Sequence, residues 1–221
     1  MRWDPVDLVC SFPTKNPTRL ALSVNAHKGS TFFVVLGLMF YFNNFSTTAF
    51  VYLALHGSYG FFWLLKDSVY PDAQWEKGVA LISHFLIFTG LLSYWVSPFI
   101  IISTHVEVSP FYLYLTLVTY ISGTVLHFGS DAQKFFTLKY KKGLITEGFF
   151  SRVRNPNYLG EALIYYSFAM LSQHWLPFVI MTAVFALLFL PNMYRKDRSL
   201  SRYPGFKDYK KRSGLFIPKL F

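Results

Sequence analysis

Long apolar stretches separated by short polar segments dominate this chain. They lie near Gly29 to Phe42, Thr48 to Leu65, Val79 to Ser103, Pro110 to Gly129, Gly160 to Ser172 and Trp175 to Met193. Crossing a hydrocarbon core of about 30 Å takes roughly 20 helical residues, so each stretch is long enough, or nearly so, to span a membrane. The stretches show no polar and apolar alternation, which excludes a β-barrel. The pattern therefore predicts an all-α, polytopic membrane bundle of about six transmembrane helices.

Composition and loop length agree with this prediction. The chain is 53% hydrophobic and only 14% charged, whereas about 25% charged residues is typical of a soluble domain. The linkers NNFST, HVEVSP and QH are short, which favours antiparallel helical hairpins. We expect one integral membrane domain over residues 1–221, with residues 1–121 as its N-terminal transmembrane region.

The basic residues are distributed asymmetrically about the predicted helices. If the six spans are right, all 21 lysines and arginines lie on one side of the membrane. They fall in the N-terminal arm, the loop from Lys66 to Lys77, the loop from Asp131 to Tyr158 and the tail from Tyr194. By the positive-inside rule, both termini should be cytosolic. A basic face beside anionic lipid explains much of the net charge of +10 without any nucleic acid.

Clustering of these basic residues adds a second feature. The loop after Asp131 and the C-terminal tail are both rich in lysine and arginine, and both flank the last pair of apolar stretches. Lipid headgroups alone do not account for this concentration. The clusters indicate a ligand that carries phosphate.

Ionisable residues at membrane depth are costly and usually face a cavity or one another. Candidates are His56, His84, His127, Asp131 and Glu161. No pair of histidines stands four residues apart beside a carboxylate, and there is no cysteine cluster, so we expect no metal site. His56 is followed by Gly57 and Gly60, which allow close helix contact.

Glu161 differs because other polar residues accompany it. In GFFSRVRNPNYLGE, from Gly148 to Glu161, a helix that starts near Pro156 places Asn157, Glu161 and Tyr165 on one face. Proline is acceptable in the first turn of a helix, and Asn155 before it is a natural N-cap. An amide, a carboxylate and a phenol thus meet at one helix mouth, with Arg152 and Arg154 just outside it.

These residues resemble the C-terminal domain of the steroid 5-alpha-reductase family. The resemblance rests on SDAQKFFTLKYKKGLITEG, on GFFSRVRNPNYLGE and on the tail YRKDRSLSRYPGFKDYKKRSGLFIPKLF, and covers Ser122 to Phe221. It implies a helical membrane fold that holds NADPH in a cytosol-facing cavity and delivers hydride to a conjugated carbon–carbon double bond of a lipid. Residues 122–221 would then be the cofactor-binding region.

By position, Asn157 and Glu161 match the asparagine and glutamate of the N-x-x-G-E element, which contact the nicotinamide end of the cofactor. Asp131 matches an aspartate that lines the cofactor pocket, and Lys134 resembles a lysine of related sterol reductases. The full set of expected cofactor-binding residues is Asp131, Lys134, Arg152, Arg154, Asn157, Tyr158, Glu161, Arg195, Arg198, Arg202 and Tyr203.

Reduction of an enone or enoyl thioester also needs a donor to the carbonyl oxygen, where negative charge develops. Steroid reductases use a glutamate and a tyrosine from N-terminal helices, but the first three predicted spans here contain no acidic residue. The nearest donors are His56 and Tyr59. We expect these two residues and Tyr165 to be the catalytic candidates.

Two alternatives remain open. Isoprenylcysteine and phospholipid methyltransferases share this membrane architecture and use S-adenosylmethionine with an R-H-P-x-Y element. Here that element reads RNPNY, and the paired glutamates expected after the last span are replaced by KDR; both departures favour the reductase. The other alternative is a non-catalytic membrane protein. The resemblance further implies a hydrophobic lipid substrate and an endoplasmic reticulum location.

Overall fold

The computed structural model describes residues 11–219. The ends of the expected domain, residues 1–10 and 220–221, lie outside this range, as do Arg2 of the N-terminal arm and the final phenylalanine of the tail motif. Within the described residues the fold is all-α, as predicted, with one minimal sheet. Strands β1 (Thr18–Arg19) and β2 (Gly78–Val79) pair antiparallel, with Thr18 opposite Val79.

Seven helices make up the described chain. They are α1 (Ala21–Tyr41), α2 (Thr47–Val69), α3 (Leu81–Ser103), α4 (Pro110–Tyr140), α5 (Pro156–Leu171), α6 (Trp175–Leu200) and α7 (Phe206–Arg212). Two further turns of 3₁₀-helix cover Ala73–Glu76 and Gly148–Phe150.

Two of the long helices change their hydrogen-bond pattern internally. Helix α3 contains a 3₁₀ turn at Leu92–Trp95, and α6 contains a π-helical segment at Phe185–Phe189. Pro191 lies two residues after the π segment and has no backbone N–H to donate into the preceding turn. In transmembrane helices, a local π segment is one way in which the backbone groups freed by a proline are satisfied again.

Helices form at all six predicted apolar stretches, and α2, α3, α4 and α6 are long and apolar enough to span a membrane. The protein is therefore an integral membrane protein. Helix α5 has only 16 residues, about 24 Å at 1.5 Å per residue. The first turns of α1 carry Asn25, His27 and Lys28, which reduce its apolar character.

The chain forms two compact units. One comprises the described part of Met1–Ser109 together with Leu171–Pro177, and the other comprises Pro110–Met170 with the described part of Phe178–Phe221. In the first unit α1 packs closely on α2. A Cβ added to Gly60 would lie only 2.2 Å from the Lys28 carbonyl oxygen, so a larger residue would not fit there. A Cβ on Gly57 would lie 2.8 Å from the Phe32 ring. The close helix contact predicted for these two glycines is confirmed.

The turn between α1 and α2 is held by one buried amide. Asn44 is 1% exposed, and its side chain donates to the Ile102 carbonyl at 2.9 Å. Its Oδ1 accepts from the Ser46 backbone N–H at 3.1 Å, next to the start of α2, where the Ser46 hydroxyl caps Ala49. Asn44 thus links this turn to the end of α3.

In the second unit α4 and α5 touch backbone to backbone. A Cβ added to Gly160 would lie 2.4 Å from the His127 nitrogen and 2.6 Å from the Gly123 oxygen. The corresponding atom on Gly123 would lie 2.7 Å from the Gly160 oxygen. This crossing brings the first two turns of α5 against α4.

Candidate functional site

The first two turns of α5 present polar groups that no other described residue satisfies. Asn157 and Glu161 lie one turn apart. The Asn157 Oδ1 atom is buried and accepts no hydrogen bond from residues 11–219. Glu161 is half-buried and forms no hydrogen bond or ion pair within the same range. Because buried acceptors are rarely left unsatisfied, these two groups define the candidate site.

Helix α4 supplies the neighbouring wall of the site. His127 is buried, and its Nδ1 lies 3.2 Å from the Asn157 carbonyl oxygen. A carbonyl oxygen only accepts, so Nδ1 is the protonated nitrogen that donates this bond. One turn further along α4, the buried Asp131 carboxylate lies 3.9 Å from Lys134 Nζ. The structure therefore places Asp131 and Lys134 together, on the helix that contacts Asn157.

Arg154 is committed to contacts inside the protein. Its Nε donates to both carboxylate oxygens of Asp197, at 2.9 and 3.1 Å, and its Nη1 donates to the Ser213 carbonyl and, at 3.2 Å, to the Ser213 hydroxyl. The Arg154 and Asp197 side chains are 6% and 10% exposed. We call Arg154, Asp197 and Ser213 the tail clamp, because they join the loop before α5 to α6 and to the C-terminal tail.

Backbone and tyrosine contacts extend this junction. Arg154 N donates to the Gly214 carbonyl, and Gly214 N donates to the Arg152 carbonyl, both at 2.9 Å. The Tyr209 hydroxyl donates to the Phe150 carbonyl at 2.6 Å. Burial raises the pKa of Tyr209 to about 12, so its hydroxyl remains a donor at physiological pH. The tail therefore fixes the loop that leads into α5.

Asn155 also takes part in this junction. Its side-chain amide donates to the Leu215 carbonyl at 2.9 Å. The side chain expected to cap α5 thus holds the tail through its amide nitrogen. Its Oδ1 is buried without a hydrogen-bond partner among residues 11–219.

The other expected basic residues lie beside the tail clamp. Arg152, two residues before Arg154, is exposed, and so is Arg198, next to Asp197. Arg202 is exposed and stacks on the neighbouring Tyr203 ring, with 5.0 Å from its Cζ to the ring centroid. Arg195 donates to the side chain of Asn192 within α6. The exposed guanidinium groups at Arg152, Arg198 and Arg202 remain accessible to an anionic ligand.

The apolar side of α5 continues the site away from the basic surface. Tyr158 packs on Phe189 of the π segment, with ring centroids 5.1 Å apart. Further along, a small groove of about 220 Å³, part of it open to the surroundings, lies between α5 and α6. Its lining is Ala162, Tyr165, Tyr166, Met181, Val184, Phe185 and Phe189. Tyr165, one turn beyond Glu161, is thus a buried groove residue.

His56 and Tyr59 belong to the first unit. The Tyr52 hydroxyl lies 2.8 Å from His56 Nδ1, and both His56 and Tyr59 are almost fully buried on α2. Lys28 Nζ lies 4.2 Å from the centroid of the Tyr59 ring. The catalytic role expected for these two residues stays a prediction.

Sequence reasoning missed Asp197, Ser213 and Tyr209. The tail was expected to supply cations, but the buried contacts of these three residues determine how the tail attaches to the loop. One available signal was that Asp197 is the acidic residue inside the basic run YRKDR. An acid so placed is a natural partner for one of the two arginines in GFFSRVRNP.

The fold and the site together define a class of protein. It is an integral membrane protein built from helices, with unsatisfied polar groups at the start of α5 beside a basic surface. The chain belongs to the family DUF1295, described as a protein of unknown function, whose family model matches residues 66–213. The match begins at Lys66 in the last turn of α2 and ends at Ser213 of the tail clamp. No curated protein matches the chain in sequence.

Proposed function

We propose that this protein is a membrane-embedded oxidoreductase that uses NADPH to reduce a conjugated carbon–carbon double bond of a lipid. The observation that carries the proposal is the pair at the mouth of α5, the buried Asn157 Oδ1 and the Glu161 carboxylate, neither satisfied within residues 11–219. The carboxamide of a nicotinamide offers the N–H donors that these two acceptors require. The resemblance to the steroid 5-alpha-reductase family assigns the same two positions to that end of the cofactor.

The residues present fit the phosphate end of NADPH as well. Arg152 and Arg198 are exposed, and each lies within two residues of a tail-clamp residue. The tail clamp therefore holds the loop and the end of α6 in a fixed relation, which pre-orders these guanidinium groups for phosphate. Arg154 contributes indirectly, since its donors are directed at Asp197 and Ser213.

The chemistry supplied by bound NADPH would be hydride donation to the electron-poor carbon of the double bond. The protein's part is position and electrostatics in a water-poor site. His127 steadies the Asn157 backbone from α4, Asn157 and Glu161 orient the carboxamide, and Tyr165 lines the apolar side one turn deeper. His56 and Tyr59 remain the candidate donors to the substrate carbonyl.

The same proposal includes six membrane crossings, both termini in the cytosol and a location in the endoplasmic reticulum. The one-sided distribution of lysine and arginine supports the orientation. The short α5 and the partly polar α1 would be the fifth and sixth crossings. Each packs on a longer apolar helix of its own unit, α5 on α4 and α1 on α2. Protease protection of tags on the two ends in sealed microsomes tests this part.

S-adenosylmethionine is the competing cofactor. It carries no phosphate and bears a positively charged sulfonium, so it offers the exposed arginines beside the tail clamp one carboxylate in place of several phosphate charges. The missing histidine in RNPNY also speaks against it. The basic surface therefore favours the dinucleotide.

The Glu161→Gln substitution tests the proposed site. Glutamine keeps the size of the side chain but replaces one acceptor oxygen with an amide NH₂ group, which is a donor. Losing a hydrogen bond to a charged group costs about 1.5–3 kcal/mol, which corresponds to about tenfold or more in affinity. NADPH affinity should fall by that amount while the melting temperature without cofactor stays nearly unchanged. Glu147→Gln is the matched control, since it removes an exposed carboxylate from the same loop region. Unchanged NADPH affinity in Glu161→Gln would refute the site.

A further inference from the structure

The chain forms a tight loop directly after the tail clamp. The backbone N–H groups of Gly214 and Lys219 both donate to the Arg152 carbonyl, at 2.9 and 3.0 Å. A Cβ added to Gly214 would overlap the Ile217 carbonyl oxygen, so only glycine fits at the start of this loop. We call residues 214–219 the tail loop. Its two ends are attached to the same carbonyl group, and the four residues between them, LFIP, are all apolar.

The tail loop lies against a helix that is long and apolar enough to span the membrane. Phe216 packs on Phe185 of the π segment, with ring centroids 4.6 Å apart. Phe185 belongs to the apolar part of α6, before the basic run that begins at Arg195. The contact therefore brings the loop to the level of the apolar part of α6. Ile217, the next residue, is 71% exposed, and at this level an exposed side chain meets lipid.

Helix α7 presents a basic face beside the tail loop. Phe206 and Tyr209 form its buried face. Lys219 Nζ donates to the Lys211 carbonyl at 2.8 Å, which ties the end of α7 to the tail loop. Asp208, the acidic residue of this helix, pairs with Lys211 at 2.9 Å. The remaining residues of α7 are exposed and basic, and the full basic set is Lys207, Lys210, Lys211 and Arg212.

An apolar loop flanked by cations matches the chemistry of a membrane surface. Apolar side chains enter the boundary between headgroups and acyl chains, while neighbouring lysines contact anionic headgroups. Clusters of lysine and arginine immediately outside a membrane span typically bind anionic lipid. A soluble phosphate ligand would account for the charges of α7, but it would not account for the exposed Ile217. The combination therefore favours lipid.

We propose that the basic face of α7 and the tail loop together bind a membrane surface that contains anionic lipid. Ile217 lies in the boundary between headgroups and acyl chains, and the lysines of α7 contact the headgroups. The inference goes beyond the reductase proposal and does not depend on it, because it requires only that α6 spans the membrane.

Hydrogen exchange of α7, measured by mass spectrometry on the full chain in nanodiscs, tests the basic face. One set of discs contains phosphatidylcholine alone, and the other contains an equal mixture of phosphatidylcholine and phosphatidylserine. Exchange should be about tenfold or more slower in the phosphatidylserine discs, and added salt should remove most of this difference. In a Lys207→Gln/Lys210→Gln double variant the difference should disappear. Lys139→Gln/Lys141→Gln removes the same charge from exposed positions at the end of α4 and should keep it.

Ile217→Ser tests the apolar part of the surface. Serine gains little from entering the bilayer, so the tail loop should exchange about tenfold faster than in the wild type, in both kinds of disc. Ile217→Leu keeps an apolar side chain of the same size and should exchange like the wild type.

Four results would overturn the proposal. The first is equal exchange of α7 in the two kinds of disc for the wild type. The second is loss of the response to phosphatidylserine in Lys139→Gln/Lys141→Gln as well, because total charge and not α7 would then decide it. The third is a Lys207→Gln/Lys210→Gln variant that keeps the response but binds NADPH more weakly, because the basic face would then serve the cofactor. The fourth is an Ile217→Ser variant that exchanges like the wild type.

Discussion

The Arg154 guanidinium and the Asp197 carboxylate form a buried ion pair with two hydrogen bonds, at 2.9 and 3.1 Å. The two residues are 43 positions apart in the chain. Their pairing fastens the loop before α5 to the C-terminal part of α6, and Ser213 adds the tail. The candidate site therefore depends on a junction that three separate segments build together.

Asp197→Ala should destabilise the protein strongly. Removing one partner of a buried ion pair leaves the other charge without compensation, which costs about 3–5 kcal/mol. Thermal or chemical unfolding of the purified protein in detergent measures this loss. Because Arg152 and Arg198 are placed by the same junction, NADPH affinity should fall as well.

The matched control breaks an exposed pair of the same type. Asp208 and Lys211 lie 2.9 Å apart with side chains 81% and 79% exposed, so Asp208→Ala should change stability by only about 0–1 kcal/mol. Equal losses in the two variants would mean that the Arg154–Asp197 pair is not buried as described.

Gly160→Ala should disrupt the crossing of α4 and α5. The new methyl group would lie 2.4 Å from the His127 nitrogen and 2.6 Å from the Gly123 oxygen, and backbone atoms cannot move aside as a flexible side chain does. Overpacking typically costs about 1–3 kcal/mol, and backbone contact places this case at the upper end. Gly37→Ala in α1 is the control, since no atom lies within 4 Å of its added Cβ. A thermal midpoint that falls equally in both variants would contradict the crossing.

Asn44→Ala should weaken the turn between α1 and α2. The substitution leaves the Ile102 carbonyl and the Ser46 N–H without the partner that now satisfies both. An unsatisfied buried group costs about 1–3 kcal/mol, which unfolding in detergent would detect. The exposed Asn16 provides the comparison, because Asn16→Ala should have almost no effect. A neutral Asn44→Ala would show that water replaces the amide.

Tyr209 should make stability depend on pH in the alkaline range. Burial raises its folded-state pKa to about 12 from the model-compound value of 10.0. A group whose pKa is raised on folding contributes stability that is fully present below the unfolded pKa and is lost as pH rises through the folded one. The wild type should therefore lose more stability than Tyr209→Phe between about pH 10 and 12. If the stability of the wild type and of Tyr209→Phe fell in parallel across this pH range, the raised pKa of Tyr209 would be contradicted.

The sequence predicted the helices well, because long apolar stretches in a membrane protein have few alternatives. The contacts of Gly57 and Gly60 were also predictable, since small residues allow close approach. Polar residues in the first turns of α1 and the shortness of α5 explain why only four of six predicted spans, α2, α3, α4 and α6, meet the length and hydropathy expected of a crossing.

The candidate site was predictable only where it depends on local spacing. Asn157, Glu161 and Tyr165 share one face of α5 because helix geometry dictates it. The different roles of Arg152 and Arg154 were not predictable. Both are arginines in one short loop, and only the arrival of Asp197 and Ser213 from distant segments buries one and leaves the other exposed.

Direct comparison of NADPH, NADH and S-adenosylmethionine binding to the wild-type protein tests the central claim. A ligand at about 100 times its dissociation constant stabilises a protein by about 2.7 kcal/mol, so thermal unfolding in detergent ranks the three. NADPH should stabilise most, NADH less because it lacks the additional phosphate, and S-adenosylmethionine not at all. Stabilisation by S-adenosylmethionine alone would contradict the reductase and favour a methyltransferase.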